Sequence, residues 1–451
     1  MLLLMAYRTY GDQPIGLSMK ILTLNCGSSS VKYSLWEMPG AVPLSQGIVE
    51  RVAMGESSIT HKAANRKSLQ QNIECPDHKA AINLIFEFLT DTARGVIADL
   101  SEIKVVAHRV VHGGERYTHS VIVDQDVIEA IQEYTVLAPL HNPNNLVGIR
   151  LAMETMPGIP HTASWDTAFS AAYMPQHTSL YAIPYEFYQE YGIRRYGYQG
   201  LSHSYVTRRA AALMNRKDSD LNIISLHIGN GSTVTAVKEG RPYDQSLGFS
   251  TCGEGLVMGT RCGDLDPVVP LFLMQHAGMA RQEVEDILYR KSGVYGLSGG
   301  HIDRRDIIKA ASNGDERANL ALDVECYRLR KYIGAYAAAL GGVDAVVFTA
   351  GVGENSPLHR ERACQGLEFL GIQLDQRSNH SAVGRAGEAD ISTPESKVRV
   401  FVIPTDEELV MVEDAAAILD NCYDPHTFQY SFQQPGYIPS YLRFQAEVSD
   451  H

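Results

Sequence analysis

Residues 22–32 read Leu-Thr-Leu-Asn-Cys-Gly-Ser-Ser-Ser-Val-Lys, an apolar run entering a turn of small hydroxylic residues bracketed by Asn25 and Lys32. Gly27 lets the backbone come close to a ligand, the serines add hydrogen-bond donors, and Lys32 supplies a charge for an anion or a structural partner. Beyond the turn Val31, Tyr33 and Leu35 alternate, so a second strand is expected where a P-loop would place a helix. Alone, this is an ordinary polar hairpin. Its weight comes from an echo downstream: Ile223 to Val237 read Ile-Ile-Ser-Leu-His-Ile-Gly-Asn-Gly-Ser-Thr-Val-Thr-Ala-Val, again strand, turn and alternating strand. Asn230-Gly231 by itself signals only a tight type I′ turn, but two copies imply an internal duplication. A third glycine turn lies in 346–356, Val-Val-Phe-Thr-Ala-Gly-Val-Gly-Glu-Asn-Ser, after a continuously apolar strand and before Pro357 and a helical pattern. It lacks the third glycine of a dinucleotide fingerprint. Two phosphate-type hairpins and a later Gly-x-Gly turn fit a nucleotide held between two related lobes.

The chain has 451 residues, 45% hydrophobic and 20% charged, enough for two or more globular domains. A formal charge of −13 argues against nucleic acid or an anionic membrane as partner, so an anionic substrate has to be captured by local arginines. The seven cysteines are scattered and form no C-x-x-C pair, which points to free thiols in a reducing compartment. Residues 1–18 open on Met-Leu-Leu-Leu-Met-Ala, too short an apolar run for a signal sequence and without a basic region before it. They read as an N-terminal extension. No apolar run approaches the ~20 residues of a membrane span, and a cytoplasmic protein is expected.

Strand-like runs at 103–107, 160–165, 222–228, 344–350 and 398–403 alternate with helical patterns, an α/β arrangement. The clearest helix covers 316–341 and ends at Gly341-Gly342, with Leu320, Val324, Tyr327, Tyr332 and Tyr336 read as its core stripe. Near the end, Thr405 or Asp406 is positioned to cap a final helix with carboxylates in its first turn. The tail, 423–451, is rich in Tyr, Phe, Gln and Pro without clear periodicity.

The blocks Asn25–Lys32, His108-Arg-Val-Val-His-Gly-Gly-Glu115, Ala138-Pro-Leu-His-Asn-Pro143, Asp166-Thr-Ala-Phe169, Arg195-Tyr-Gly197 with Ser202-His203, His227-Ile-Gly-Asn-Gly231, Gly259-Thr-Arg-Cys-Gly-Asp264, Gly351-Val-Gly-Glu-Asn355 and Thr405-Asp-Glu-Glu408 occur in the order found in acetate kinases. From Met19 to about Asn421 the chain resembles that family. The resemblance implies reversible phosphoryl transfer from ATP to acetate with Mg²⁺ or Mn²⁺, and commonly a homodimer. It also implies two duplicated α/β domains of the ribonuclease H-like, actin-like ATPase fold with an interdomain cleft. The expected domains are 19–166, completed by a helix at about 406–422, and 167–405.

Phosphoryl transfer to a carboxylate brings two anions together, so charge must be neutralised and the oxygens held in line. By resemblance Arg109 binds the substrate carboxylate, Arg261 reaches acceptor or phosphoryl group, and Val111 and Leu140 wall a methyl pocket. Asp166, at the end of an apolar run, reads either as a helix cap or, by resemblance, as catalytic. Because the acceptor is already ionised, Asp166 is expected to orient Arg109, Mg²⁺ or water. Asn25 and Glu407 resemble the metal-associated pair. Lys32, the hairpin His227, Ile228, Gly229, Asn230 and Gly231, the run Asp303-Arg304-Arg305 and the turn Gly351, Val352, Gly353, Glu354 and Asn355 carry over as nucleotide positions. Asp303 reads equally well as an N-cap with Arg304 and Arg305 on a solvated face.

Two departures stand out. Where the family has Gly-Phe-His-Gly-Thr-Ser-His, this chain has Gly197-Tyr-Gln-Gly-Leu-Ser-His203, so Gln199 replaces the histidine assigned to transition-state stabilisation, and its amide donates a hydrogen bond but carries no charge. Asp244–Leu256 is one residue longer than the usual segment, with Thr251-Cys252 where a pocket proline is expected. The alternatives are therefore a propionate or other short-chain acyl kinase, a pyrophosphate-dependent acetate kinase and, in a different class, an ATP-driven conformational switch.

Overall fold

β1 (Met19–Cys26) and β2 (Ser30–Met38) run antiparallel, with Asn25 opposite Lys32, as the alternation after the serine turn requires. In the computed structural model, which describes residues 18–64, 66–384, 386–434 and 436–449, they open an eight-stranded sheet. The expected N-terminal extension falls on residues outside this set, except for Ser18. The sheet continues through β3 (Val42–Glu50), β4 (Ser58–Ala63), β5 (Leu69–Asn72), β6 (Ile103–Val110), β7 (Val121–Ile122) and β8 (His161–Trp165), in the order β5-β4-β3-β2-β1-β6-β8-β7. β6 lies parallel to both β1 and β8. All five residues of β8 are buried, the pattern of an interior parallel strand.

The second sheet is built from β9 (Asn222–Ile228), β10 (Ser232–Lys238), β11 (Arg241–Gln245), β12 (Ala345–Thr349), β13 (Ala389–Asp390) and β14 (Arg399–Val402), in the order β11-β10-β9-β12-β14-β13. β9, β10 and β11 form an antiparallel meander, and β12 and β14 follow in parallel. The set β3-β2-β1-β6-β8 repeats that pattern in the first sheet. The duplication read from the two hairpins is thus a duplication of whole sheets.

The chain divides into two units, one formed by the residues through Ala172 with those from Asp406 onward, the other by Tyr173–Thr405. In the first, helices His78–Thr90 and Asn142–Thr155 pack on the sheet around Leu22, Leu24, Ile85 and Ala152. Helix Glu407–Leu419 packs on β1 and β6, and Asp406 rather than Thr405 is its N-cap, accepting from Leu409 N at 3.1 Å. The second unit's core gathers Leu226, Ile228, Ile333, Tyr336 and Phe348 between the sheet and helix Glu316–Leu340.

That helix ends at Gly341, whose φ of 73° no ordinary helical residue adopts at low cost. Its stripe differs from the expected one. Leu320 and Tyr327 face solvent, at 52% and 60% exposure, while Leu322, Leu329, Ile333, Tyr336 and Leu340 turn inward. Aromatic size drew the reading out of phase; the small Ala318 and Ala321 mark the true buried face, where a close approach leaves no room for larger side chains. All seven cysteines are free thiols, six of them buried or half-buried. No helix among the described residues is long and apolar enough to cross a membrane.

Candidate active site

In the first unit the site grows from the ends of three neighbouring strands. Arg109, near the end of β6, makes a two-pronged contact with Asp166, just past β8: Nε donates to Oδ1 at 2.9 Å and Nη2 donates to Oδ2. Its third nitrogen, Nη1, donates to Asn25 Oδ1 at 3.3 Å, at the end of β1. Parallel pairing of β1 with β6 and of β6 with β8 brings these residues together. Burial alone would lower the Arg109 pKa, but Asp166 and then Glu407 more than offset it, so the guanidinium stays charged with a pKa above its ordinary value. Asp166 is not a helix cap; Thr167 stands at the N-cap of the short helix that follows. Lys32 is exposed on β2.

Behind Arg109 the first turn of helix Asn142–Thr155 clamps the strand ends. Asn145 accepts from Val111 N at 3.2 Å and donates to Cys26 O at 2.9 Å, while Asn142 exchanges hydrogen bonds with the backbone of His112. Both asparagines are buried. The sequence reading gave them no role, although an asparagine-rich helix start beside a conspicuous arginine was the available signal. Val111 is 2% exposed, whereas Leu140 is 40% exposed, so only Val111 behaves as ordinary core. Glu408, beside Glu407, is pushed up to about 7 by burial, only partly countered by the hydrogen bond from Ser34.

In the second unit the site forms around the β9–β10 turn. Gly229 N donates to Gly231 O at 3.1 Å, and neither Asn230 nor Gly231 has positive φ, so the turn is not type I′. A Cβ added at Gly231 would stand 3.6 Å from Gln199 Nε2 and 3.7 Å from Arg261 Nη1, which measures how closely those two groups approach the turn. Gln199 sits in the left-handed region (φ 57°) ahead of helix Gly200–Leu213. Its amide nitrogen donates to Gly231 O at 3.3 Å and its oxygen accepts from Thr233 Oγ1 at 2.5 Å. Arg261 donates to Thr251 O at 2.6 Å, which ties it to the altered 244–256 segment.

His227 Nδ1 lies 2.8 Å from Ser202 Oγ, which also accepts from Thr405 Oγ1 at 2.8 Å. Glu354 faces inward, accepting from Ala350 N at 2.9 Å and Thr405 N at 3.2 Å. The expected third glycine turn is instead a short helix, Ala350–Asn355, which Glu354 braces; its first residue, Ala350, is held in the left-handed region (φ 65°), a conformation that costs a non-glycine residue about 1–2 kcal/mol. Asp303 caps helix Arg304–Ser312 through Arg305 N, and the Arg305 guanidinium folds back on it; these contacts bring the Asp303 pKa down to about 2. Arg304 is not on a solvated face: it is buried against Glu325 at 2.8 Å. Burial alone would raise the Glu325 pKa, but His359 and Arg304 hold it at about 2.

Among the described residues no group of three or more His, Cys, Asp or Glu could hold a metal ion. Asn25 and Glu407 nevertheless fit a hard cation that keeps most of its waters, since Mg²⁺ takes only one or two protein oxygens and fills its shell with water and phosphate. Both flank Arg109, Asn25 by hydrogen bond and Glu407 by charge.

Each unit therefore sets an arginine beside the turn of its own β-hairpin, on the same meander-plus-parallel sheet, and the class this defines is the duplicated actin-like ATPase fold. Residues 20–413 match the model of the acetokinase family, and the chain belongs to that family. The acetate kinase of Geobacter metallireducens is 51% identical over 423 residues, 94% of this chain and 100% of that protein. Among solved structures, Porphyromonas gingivalis acetate kinase aligns with a TM-score of 0.83 at 45% identity, covering 89% of this chain and 100% of its own. A propionate kinase from Francisella tularensis aligns with a TM-score of 0.81 at 35% identity, covering 87% and 98%.

Proposed function

We propose that this acetokinase-family chain transfers the terminal phosphoryl group of ATP directly to acetate, reversibly, giving acetyl phosphate and ADP. The family uses ATP as co-substrate. The observation that carries the reading is the Arg109–Asp166–Asn25 cluster, a charged guanidinium held by two prongs with its remaining edge beside an oxygen donor. In the proposed reaction an acetate oxygen attacks the γ-phosphorus; a new C–O–P linkage forms as the bond to the β,γ-bridging oxygen breaks, and that electron pair leaves with ADP. No proton has to be removed from the acceptor, so Asp166 serves as the orienting partner of Arg109 and not as a base.

Arg109 binds the acetate carboxylate, with Val111 and Leu140 against its methyl group. Arg261 neutralises charge on the phosphoryl group in flight, and Gln199 adds a neutral donor beside it. Lys32, His227–Gly231, Asp303–Arg305 and Gly351–Asn355 are assigned to the nucleotide, the buried members Arg304 and Glu354 acting by bracing its contacts. Asn25 and Glu407 would hold Mg²⁺, or Mn²⁺, which when bound supplies charge neutralisation to the phosphates. The protein acts in the cytoplasm as a homodimer. Helix Val268–Gln275, Val-Val-Pro-Leu-Phe-Leu-Met-Gln, has no buried residue, with Val268 60%, Leu271 48% and Phe272 55% exposed, an apolar face suited to a second copy. Phe272→Asp should shift the species seen by light scattering from dimer to monomer.

Trapping the acyl phosphate as a hydroxamate, from acetate, propionate and butyrate with ATP or pyrophosphate as donor, tests the reading. Product from acetate and ATP supports it. Preference for propionate would assign the altered 244–256 segment an acyl-selecting role, and ATP hydrolysis without any acyl phosphate would leave a nucleotide-driven switch.

A further inference from the structure

The family match ends at residue 413, but the chain continues and folds back along helix Glu407–Leu419. Two carboxylates buried in that helix are met by groups from the tail. Ser431 N donates to Glu413 Oε2 at 2.8 Å, and Tyr430 Oη donates to Asp414 Oδ1 at 2.8 Å. Tyr430 stacks on Phe432 with ring centres 4.8 Å apart, and both are buried. The chain then enters helix Ser440–Ser449, where Arg443 donates to Gly40 O at 2.7 Å and Ala41 O at 2.9 Å, in the turn between β2 and β3. The same guanidinium lies 5.6 Å from the Tyr437 ring centre, and the Tyr437 hydroxyl accepts from Ser440 N at 3.3 Å. Ser440 Oγ completes the series by donating to Asp406 Oδ2. Asp406 is the N-cap whose other oxygen accepts from Leu409 N, and its chain neighbour is Glu407.

We propose that Ser440 is a positioning residue for Glu407, acting through Asp406, so that the C-terminal segment is a strap setting the geometry of the metal-side carboxylate. The inference rests on the reading of Glu407 as a metal ligand. An N-cap aspartate fixes a first helical turn only while its own rotamer is fixed. Here Asp406, Glu407 and Glu408 follow one another at the start of the helix, and Asp406 is the one whose side chain closes the first turn, through Leu409 N. The Ser440 hydroxyl ties one of them to a helix that Arg443 anchors in turn on the β2–β3 turn.

The test uses the full-length protein. Mn²⁺ affinity is measured with ADP present, by the electron paramagnetic resonance of the free ion, beside the Mg²⁺ concentration for half-maximal rate, the acetate KM and the melting temperature. Ser440→Ala should weaken Mn²⁺ binding and raise the Mg²⁺ requirement about tenfold, as removal of an outer-shell partner does, with acetate KM and melting temperature unchanged. Ser440→Thr should restore both, and Arg443→Gln, which loosens the strap without touching Asp406, should reproduce a smaller version of the defect. The proposal is overturned if Ser440→Ala binds Mn²⁺ like the parent, or if every parameter worsens together with melting temperature. Glu407→Ala separates the two levels: parent-like Mn²⁺ affinity in that variant removes the metal reading itself, whereas a loss there without one in Ser440→Ala removes only the strap.

Discussion

The two hairpins share a backbone plan but have diverged in what surrounds their turns. At β1–β2 the neighbours are Asn25, Asp166 and Glu407 around a single guanidinium, an acid-rich setting in which Arg109 is locked in a bidentate pair. At β9–β10 the neighbours are Gln199 and Arg261, and among the described residues the Arg261 side chain is held by the Thr251 carbonyl and the Met258 sulfur. A duplicated scaffold has thus kept its strand order while the side chains around its two turns have diverged; under the proposed function one copy serves a cation and a small anion and the other a phosphoryl chain. The same residue type, arginine, is paired with a carboxylate in one unit and, among the described residues, hydrogen-bonded to a carbonyl in the other.

That difference predicts unequal outcomes for equal deletions, and these are the largest effects expected. Arg109→Ala and Arg261→Ala should each lower kcat/KM by at least about 10²–10³, the cost of losing a positioned donor to developing charge. Only Arg109→Ala should also destabilise the fold, by roughly 3–5 kcal/mol, because Asp166 is left buried and without its cation. Steady-state kinetics paired with urea denaturation of both variants checks this; equal stability loss in the two would erase the distinction drawn between them.

Part of this division was legible in the sequence. The hairpins, the strands at 103–107, 222–228 and 344–350 and the long helix followed from period and punctuation, and Asp406 was among the two caps anticipated. What escaped was whatever depends on register between distant strands: Asn145 reaching Cys26, Ser202 linking His227 to Thr405, and the strap onto Asp406. The tail looked featureless because its order comes from rings and hydroxyls placed on buried carboxylates, which leave no periodic trace.

Acid should probe the two units through different buried histidines. In the first, His161 faces His108 at 2.9 Å, and burial brings the His161 pKa down to about 4; in the second, burial holds His203 well below its ordinary value between Ser225 and Thr233. A histidine whose folded-state pKa is depressed binds its proton more readily when unfolded, so stability is complete above about pH 6.5 and falls as pH drops toward 4. His161 alone accounts for a loss of about 3 kcal/mol across that window. Melting temperatures from pH 7.5 to 4.5 should fall for the parent and fall less for His161→Gln; parallel slopes would show that other groups control the acid limb.

Gln199→His tests whether the second hairpin has adapted to its neutral donor. The Gln199 amide already bridges Gly231 and Thr233, contacts that an imidazole in the same left-handed conformation would have to rebuild with its two ring nitrogens. We expect kcat to change by no more than about tenfold, in either direction, with little change in the acetate KM. A gain of several orders of magnitude would mean that the native site is impaired and that the setting around Gly231 has not adjusted.

The smallest effects belong to the turn glycines themselves. Gly27 and Gly231 both lie outside the left-handed region, so alanine is conformationally allowed at each, and the loss of unfolded-state freedom favours the folded chain by about 0.4–1 kcal/mol. Their surroundings differ. A Cβ at Gly27 would press on Ser30 Oγ at 3.3 Å, a rotatable hydroxyl of its own hairpin, whereas one at Gly231 would sit at ordinary contact distance between Gln199 and Arg261. Gly27→Ala should therefore raise melting temperature slightly and leave nucleotide KM unchanged, because Ser30 can turn aside. Gly231→Ala should also raise melting temperature slightly yet raise the ATP KM several-fold, since the methyl group occupies space between two donors assigned to the phosphoryl group. If the two alanines behave alike in titrations with ATP, the space beside Gly231 is not used by the nucleotide, and the second hairpin would have to be reassigned to bracing.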